Sequence, residues 1–223
     1  MNTDGTGVVR LTHDESSDSS PAWSLDGQKI AFESTRDGNV EIYAMNADGT
    51  DPVRLTDHPG ADLFPAWSPD GRRIAFTIHR EGNENIGTMS TAVRDFATSR
   101  GLIGLGRLKG DIYVMNADGS GTEPLVTDPA NDARPAWSDD GERIVFTSER
   151  DGNQEIYAIS TDGSGLVRLT DHEDVDRAPA FYTSGDRIIF TSRRGESVNV
   201  YIMNSDGTGL VPLTEDAAND FTG

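Results

Sequence analysis

The sequence contains no cysteine and only two lysines, Lys29 and Lys109, beside 17 arginines. Without cysteine there can be no disulfide, thiolate zinc site, iron–sulfur cluster or cysteine nucleophile. Basic residues are scarce as a class: 19 Lys+Arg stand against 38 Asp+Glu, a formal charge of −19. That balance argues against a nucleic-acid partner, which needs a basic patch, and against an anionic membrane surface. No apolar run approaches the length of a membrane span, and no hydrophobic secretory segment opens the chain. A G-x-S-x-G nucleophile elbow is missing too. Apolar runs of five or six residues are too short for helices of ordinary length.

What is abundant is turn chemistry. The 223 residues, enough for one domain, include 24 glycines and 26 aspartates against 12 glutamates. Asp favours turns and caps over helix interiors, which ties much of the charge to architecture. The chain also repeats itself. Pro21-Ala22-Trp23-Ser24 recurs at Pro65, at Pro135 and, as Pro179-Ala180-Phe181-Tyr182, at Pro179, in steps of 44, 70 and 44 residues. Ile30-Ala31-Phe32, Ile74-Ala75-Phe76, Ile144-Val145-Phe146 and Ile188-Ile189-Phe190 keep the same beat, as do Leu11, Leu55, Leu169 and Leu213, each followed by Thr.

Each unit holds four short runs separated by glycine turns such as Asp26-Gly27, Arg36-Asp37-Gly38-Asn39 and Asp48-Gly49. Asp-Gly supplies positive-φ turn positions at low cost, which predicts hairpins joining four antiparallel strands. A four-stranded meander repeated at this period predicts an all-β fold, a β-propeller of four-stranded antiparallel blades. Four repeats are clear and one is partial or decayed. The aromatics Trp23, Trp67, Trp137 and Phe181 read as packing between blades, because a single blade cannot bury both faces.

The expected organisation is one propeller domain over 1–223. It has an orphan outer strand in 1–12, blades at 13–56, 57–127, 128–170 and 171–214, and a tail at 215–223. The long blade carries near 90–110 either an insertion or a decayed extra blade. In the second case Asn85–Met89 would close the unit begun at Pro65. Gly101–Gly106 lacks the Gly-Lys-Ser/Thr of a phosphate loop and reads as an apolar connector. Four inner strands against five outer ones imply an open edge, a piece of a longer propeller, or a homo-oligomer that completes the ring.

Pro65-Ala66-Trp67-Ser68-Pro69-Asp70-Gly71, followed by Arg73-Ile74-Ala75-Phe76, together with Ile112-Tyr113-Val114-Met115-Asn116-Ala117-Asp118-Gly119, resembles the WD40-like repeats of TolB-type β-propellers. The resemblance covers nearly the whole chain apart from about residues 90–110. It implies a non-catalytic propeller that binds a protein or peptide, a periplasmic or extracellular setting, and calcium at the channel. Related repeats in prolyl-oligopeptidase-like and tricorn-type proteases imply an alternative, the propeller fragment of a peptidase.

One acidic column stands three residues before each repeated proline: Asp18, Asp62, Asp132 and Asp176, extended by Asp220. On connectors into the inner strands these carboxylates would ring a channel mouth, where they would suit a cationic ligand or Ca²⁺; equally, each would order its own connector by accepting backbone N–H groups. His13, His58 and His172 follow the repeated Leu-Thr on the same connectors. With Asp62, Asp132 and Asp176, His58 and His172 would make a metal centre, similar to that of propeller lyases, and would support a metal-dependent lyase or hydrolase. The alternative is that the histidines are inherited with the repeat. No cofactor is required by any of these patterns.

Overall fold

A computed structural model describes residues 4–79, 109–182, 186–195 and 197–214. Every regular element among them is a strand. The first sheet contains β1 (Asp18–Trp23), β2 (Lys29–Ser34), β3 (Glu41–Asn46) and β4 (Val53–Arg54). The second contains β5 (Asp62–Trp67), β6 (Arg73–His79), β7 (Gly110–Asn116) and β8 (Glu123–Val126). The third contains β9 (Asp132–Trp137), β10 (Arg143–Ser148), β11 (Glu155–Ser160) and β12 (Val167–Arg168). The fourth contains β13 (Asp176–Tyr182), β14 (Arg187–Arg194), β15 (Ser197–Asn204) and β16 (Val211–Pro212). Each is an antiparallel meander in chain order, as the glycine turns predict.

The hairpin aspartates account for much of the acidity. Asp48, Asp118, Asp162 and Asp206 each accept the N–H and O–H of the Ser or Thr two residues on, and these bonds hold their carboxyls below the usual range. Glycine is required in the hairpins where the preceding sheet closes in. A Cβ at Gly119 (φ +85) would stand 2.6 Å from the Leu55 carbonyl oxygen.

Successive sheets stack through apolar seams. Ala31 and Ile42 of the first sheet meet Ile74, Phe76, Met115 and Trp67 of the second. Ala75 and Ile112 of the second meet Ile144, Phe146 and Trp137 of the third. Val145 and Ile156 of the third meet Ile188, Phe190 and Phe181 of the fourth. Each fully buried Phe contributes roughly 1.5–3 kcal/mol through removal from water. Trp137 also donates its indole N–H to the Ala66 carbonyl, 3.1 Å away. Trp23 holds the same place on the first sheet but is 56% exposed, against 7% for Trp137.

Two expectations meet the structure differently. Residues 8–12 form no ladder, so the orphan outer strand is not a strand here. Leu11 instead packs on Ile30, Phe32, Tyr43 and Met45, and Arg10 Nε donates to the Thr12 carbonyl as Arg54 does to Thr56. The segment thus keeps the contacts of an outer strand's exit without the pairing. In the second sheet, β6 pairs directly with β7, His79 opposite Gly110. The alternative third strand at 85–89, the glycine-rich connector at 101–106, Asp220 and the tail at 215–223 lie outside the described residues.

Candidate functional site in the axial channel

The four first strands lie side by side in sequence, β1 against β5, β5 against β9 and β9 against β13, which gathers them around one axis. The aspartate column opens each of them and is turned into the protein. Asp62, Asp132 and Asp176 have no exposed surface, and the Asp18 side chain retains 12%. Opposite each Asp in register stands Ser34, Ser148 or Ser192, and two residues further on an arginine folds back. Arg150 Nη2 reaches Asp132 Oδ1 at 3.1 Å while its Nε donates to Ser148 Oγ at 2.8 Å. Arg36 repeats this on Asp18 and Ser34, and Arg194 on Asp176 and Ser192. Each guanidinium also stacks on the tyrosine of its own third strand, Tyr43, Tyr157 or Tyr201. Burial outweighs the arginine and pushes the Asp132 and Asp176 carboxyls above their ordinary value.

Asp62 differs from its equivalents. Its register partner is Ile78 instead of serine, and among the described residues neither carboxylate oxygen has a hydrogen-bond partner. Beside it lies the buried Glu41, whose oxygens are engaged by Thr56 Oγ1 (2.6 Å) and Arg54 Nη2 (2.8 Å). Burial, reinforced by the Glu41 charge and partly offset by Thr56 and Arg54, pushes the Asp62 carboxyl up to about 8. The same buried glutamate recurs as Glu155 beside Asp176, held by Thr170 and Arg168. Sequence reading passed over these glutamates. The visible signal was an acid opening the third run, next to residues whose alternation marks a buried strand.

His58 and His172 stay with their own turns. His58 Nδ1 accepts the Gly60 N–H at 3.0 Å and His172 Nδ1 accepts the Asp174 N–H at 3.1 Å. Among the described residues no three His, Asp or Glu side chains are grouped to hold a metal ion. Calcium takes about six to eight oxygen ligands. Asp62 and Glu41 bring two carboxylates, one of them already saturated, and the residues described here do not fit a calcium or transition-metal centre.

The side chains that reach the axis are different ones. Each first strand carries a bulge in which two residues oppose one phenylalanine of the second strand. Its first residue is left-handed in every sheet: Ser20 (φ 48), Phe64 (φ 55), Arg134 (φ 59) and Ala178 (φ 53). A non-glycine residue rarely holds this conformation, and a bulge re-aims a side chain. The turned backbone is tied to the preceding sheet: Phe64 N–H donates to Glu33 Oε1 at 2.8 Å, and Ala178 N–H to Thr147 Oγ1 at 3.1 Å. Arg134 of the third sheet stacks its guanidinium over the Phe64 ring of the second, 4.3 Å from the centroid. It also feels Arg177 of the fourth sheet and Glu33 of the first. A group sensed by all four sheets lies on their common axis. Arg134 keeps access to solvent while groups of the other sheets act on it. Partial withdrawal from water, with Arg177 adding to it, lowers its pKa.

Across the repeats the framework residues recur, whereas the pair before the proline reads Ser19-Ser20, Leu63-Phe64, Ala133-Arg134 and Arg177-Ala178. One backbone geometry therefore carries four unrelated residue pairs, of which Phe64 and Arg134 meet between sheets.

The family model for the TolB beta propeller domain matches residues 105–222, and that for the tricorn protease N-terminal beta propeller domain matches residues 1–94. No curated protein matches the sequence significantly. Among solved structures, TolB from Acinetobacter baumannii is similar with a TM-score of 0.78 and 22% identity, over 98% of this chain and 49% of that one. The chain thus spans about half the length of that protein. A TolB candidate from Agrobacterium tumefaciens gives 0.68 at 21% identity, over 92% and 83% of the two chains. Oligogalacturonate lyase from Vibrio parahaemolyticus gives 0.64 at 14%, over 93% and 56%. At these identities the likeness is one of fold.

Proposed function

The chain belongs to the TolB β-propeller family, and on that premise we propose that it is a non-catalytic propeller which receives a protein or peptide segment in its axial channel. The observation that carries this reading is the set of left-handed bulge residues, with Phe64 and Arg134 together at the axis. Backbone strain held at one position in every sheet, beneath side chains that differ in every sheet, marks a presentation surface more than a packing one. A half-buried aromatic beside an arginine is also the side-chain chemistry that anchors peptide segments. His58 and His172 serve their own turns, so no observation favours the metal-dependent lyase or hydrolase reading.

Selection of peptides from a random library against the whole chain, followed by titration, tests the proposal. Selected peptides are expected to compete with one another, to lose binding in Ser20→Trp, which narrows the lumen, and to be recovered intact by mass spectrometry. Peptides that bind Ser20→Trp equally well, or that are recovered cleaved, would overturn it.

A further inference from the structure

We propose that the channel is selective for a carboxylate-bearing segment, an acidic peptide, and that Arg134 is its anchor. The inference rests on the channel-binding reading and adds the chemistry of what enters.

Arg134 carries its charge outside any salt bridge among the described residues, and Glu33 acts on it only at a distance. Its guanidinium makes no hydrogen bond and no ion pair among the described residues, unlike Arg36, Arg54, Arg150, Arg168 and Arg194, each clamped to carboxylates of its own sheet. Glu33, the first-sheet acid that acts on it, has both oxygens engaged in hydrogen bonds: Oε1 accepts the Phe64 N–H and Oε2 accepts the Ser19 hydroxyl at 2.9 Å. Arg177, from the adjoining first strand, adds a second positive charge within electrostatic reach. Stacking on Phe64 occupies the face of the guanidinium and leaves its in-plane N–H groups for a ligand, the geometry in which arginine takes a carboxylate in bidentate fashion.

The surroundings sharpen the selectivity. In a chain of net charge −19, an acidic segment is repelled from most of the surface. A positive focus where the first strands converge offers such a segment a place of opposite sign. An entering carboxylate would add a favourable charge interaction with Arg134, which a neutral or basic segment cannot do.

The test uses the full chain at about 0.15 M salt, where the Debye length is about 8 Å, and titrates hexaglutamate, hexaserine, hexalysine and free glutarate. Hexaglutamate is expected to bind, with hexaserine and hexalysine at least about tenfold weaker, and Arg134→Gln to lose at least about tenfold in hexaglutamate affinity at unchanged melting temperature. Arg134→Lys should recover part of the loss, and Arg72→Gln, on an exposed turn, should change nothing. Should Arg134→Gln fail to fold, the native protein decides through its arginine Nε resonances. Hexaglutamate must move that of Arg134 ahead of those of the clamped arginines, and movement elsewhere first overturns the proposal. Glutarate binding as tightly as hexaglutamate would make the ligand a small carboxylate and overturn the peptide. Library peptides that bind without acidic residues, or equally well to Arg134→Gln, would overturn the anchor while leaving the channel-binding reading intact. Failure of every peptide would remove both.

Discussion

The aspartate framework at the start of each first strand and the bulge two residues later occupy the same strand and obey opposite rules. Asp18, Asp132 and Asp176 are repeated, inward-turned and matched to Arg36, Arg150 and Arg194, and a serine supports each pair. Ser20, Phe64, Arg134 and Ala178 share one strained backbone conformation and nothing else. Where the interior sets the requirement, identity recurs from sheet to sheet. Where a side chain faces the lumen, only the backbone geometry recurs. Stability and binding should therefore separate along a single strand, with changes in the framework costing the fold and changes at the bulge costing the ligand.

The largest expected effect lies in a seam. Trp137→Ala should destabilise by about 4 kcal/mol, because a nearly buried indole and its hydrogen bond to Ala66 are lost. Trp23→Ala, at the equivalent but exposed position, should cost under about 1 kcal/mol. Urea unfolding of the two variants reads the difference, and equal losses would mean that the repeats do not differ in packing.

Next comes the clamp. Arg150→Met leaves the buried Asp132 without its partner and should cost about 3 kcal/mol at neutral pH. The double variant Arg150→Met/Asp132→Asn should recover most of that. Absence of recovery would locate the cost in lost arginine packing on Tyr157 instead of in the uncompensated charge.

A smaller effect, distinctive in its pH dependence, belongs to Asp62. Its folded carboxyl is raised to about 8, so between about pH 4 and pH 8 the unfolded chain is ionised while the folded one holds the proton. Native stability should fall through that window, and Asp62→Asn should remove the fall. The gain of the variant over native then grows with pH, by at most about 1.4 kcal/mol per pH unit. Glu41 and Arg54, the charged groups facing Asp62 among the described residues, are unchanged by the substitution. Denaturation midpoints measured from pH 5 to pH 8 decide the matter, and parallel curves would show that Asp62 ionises freely. At the end of the scale stands Arg134→Gln, whose stability should stay within about 0.5 kcal/mol of native because it breaks no framework contact.

Much of this fold was legible before any coordinates. The glycine turns at Gly27, Gly49, Gly71 and Gly119 implied positive φ, and they have it. The aromatics Trp67, Trp137 and Phe181 implied packing between sheets, and they lie in the seams. The candidate site was legible only in outline. A column of aspartates on connectors suggested a charged mouth, but the direction in which each side chain turns depends on the arginine 18 residues later, and that pairing exists only once the second strand has folded back. The cue was present as a fixed spacing, Asp18 with Arg36, Asp132 with Arg150 and Asp176 with Arg194. The axial pair was hidden for the opposite reason, since a search for repeats discards the positions at which the repeats disagree.

The sequence by itself determined the strands, their turns and the four-stranded unit. These follow from local chemistry: the φ freedom of glycine, the caps made by Asp, and the need of an amphipathic sheet for a neighbour. Only the tertiary structure decided which charges are matched and which are not. Arg150 and Arg134 are the same residue type 16 positions apart. One meets a carboxylate because its hairpin closes on Asp132, whereas the other meets Phe64, Arg177 and the already engaged Glu33 because three other sheets converge on it. Convergence on an axis brings together groups far apart in the chain, and no pattern within a single repeat encodes it.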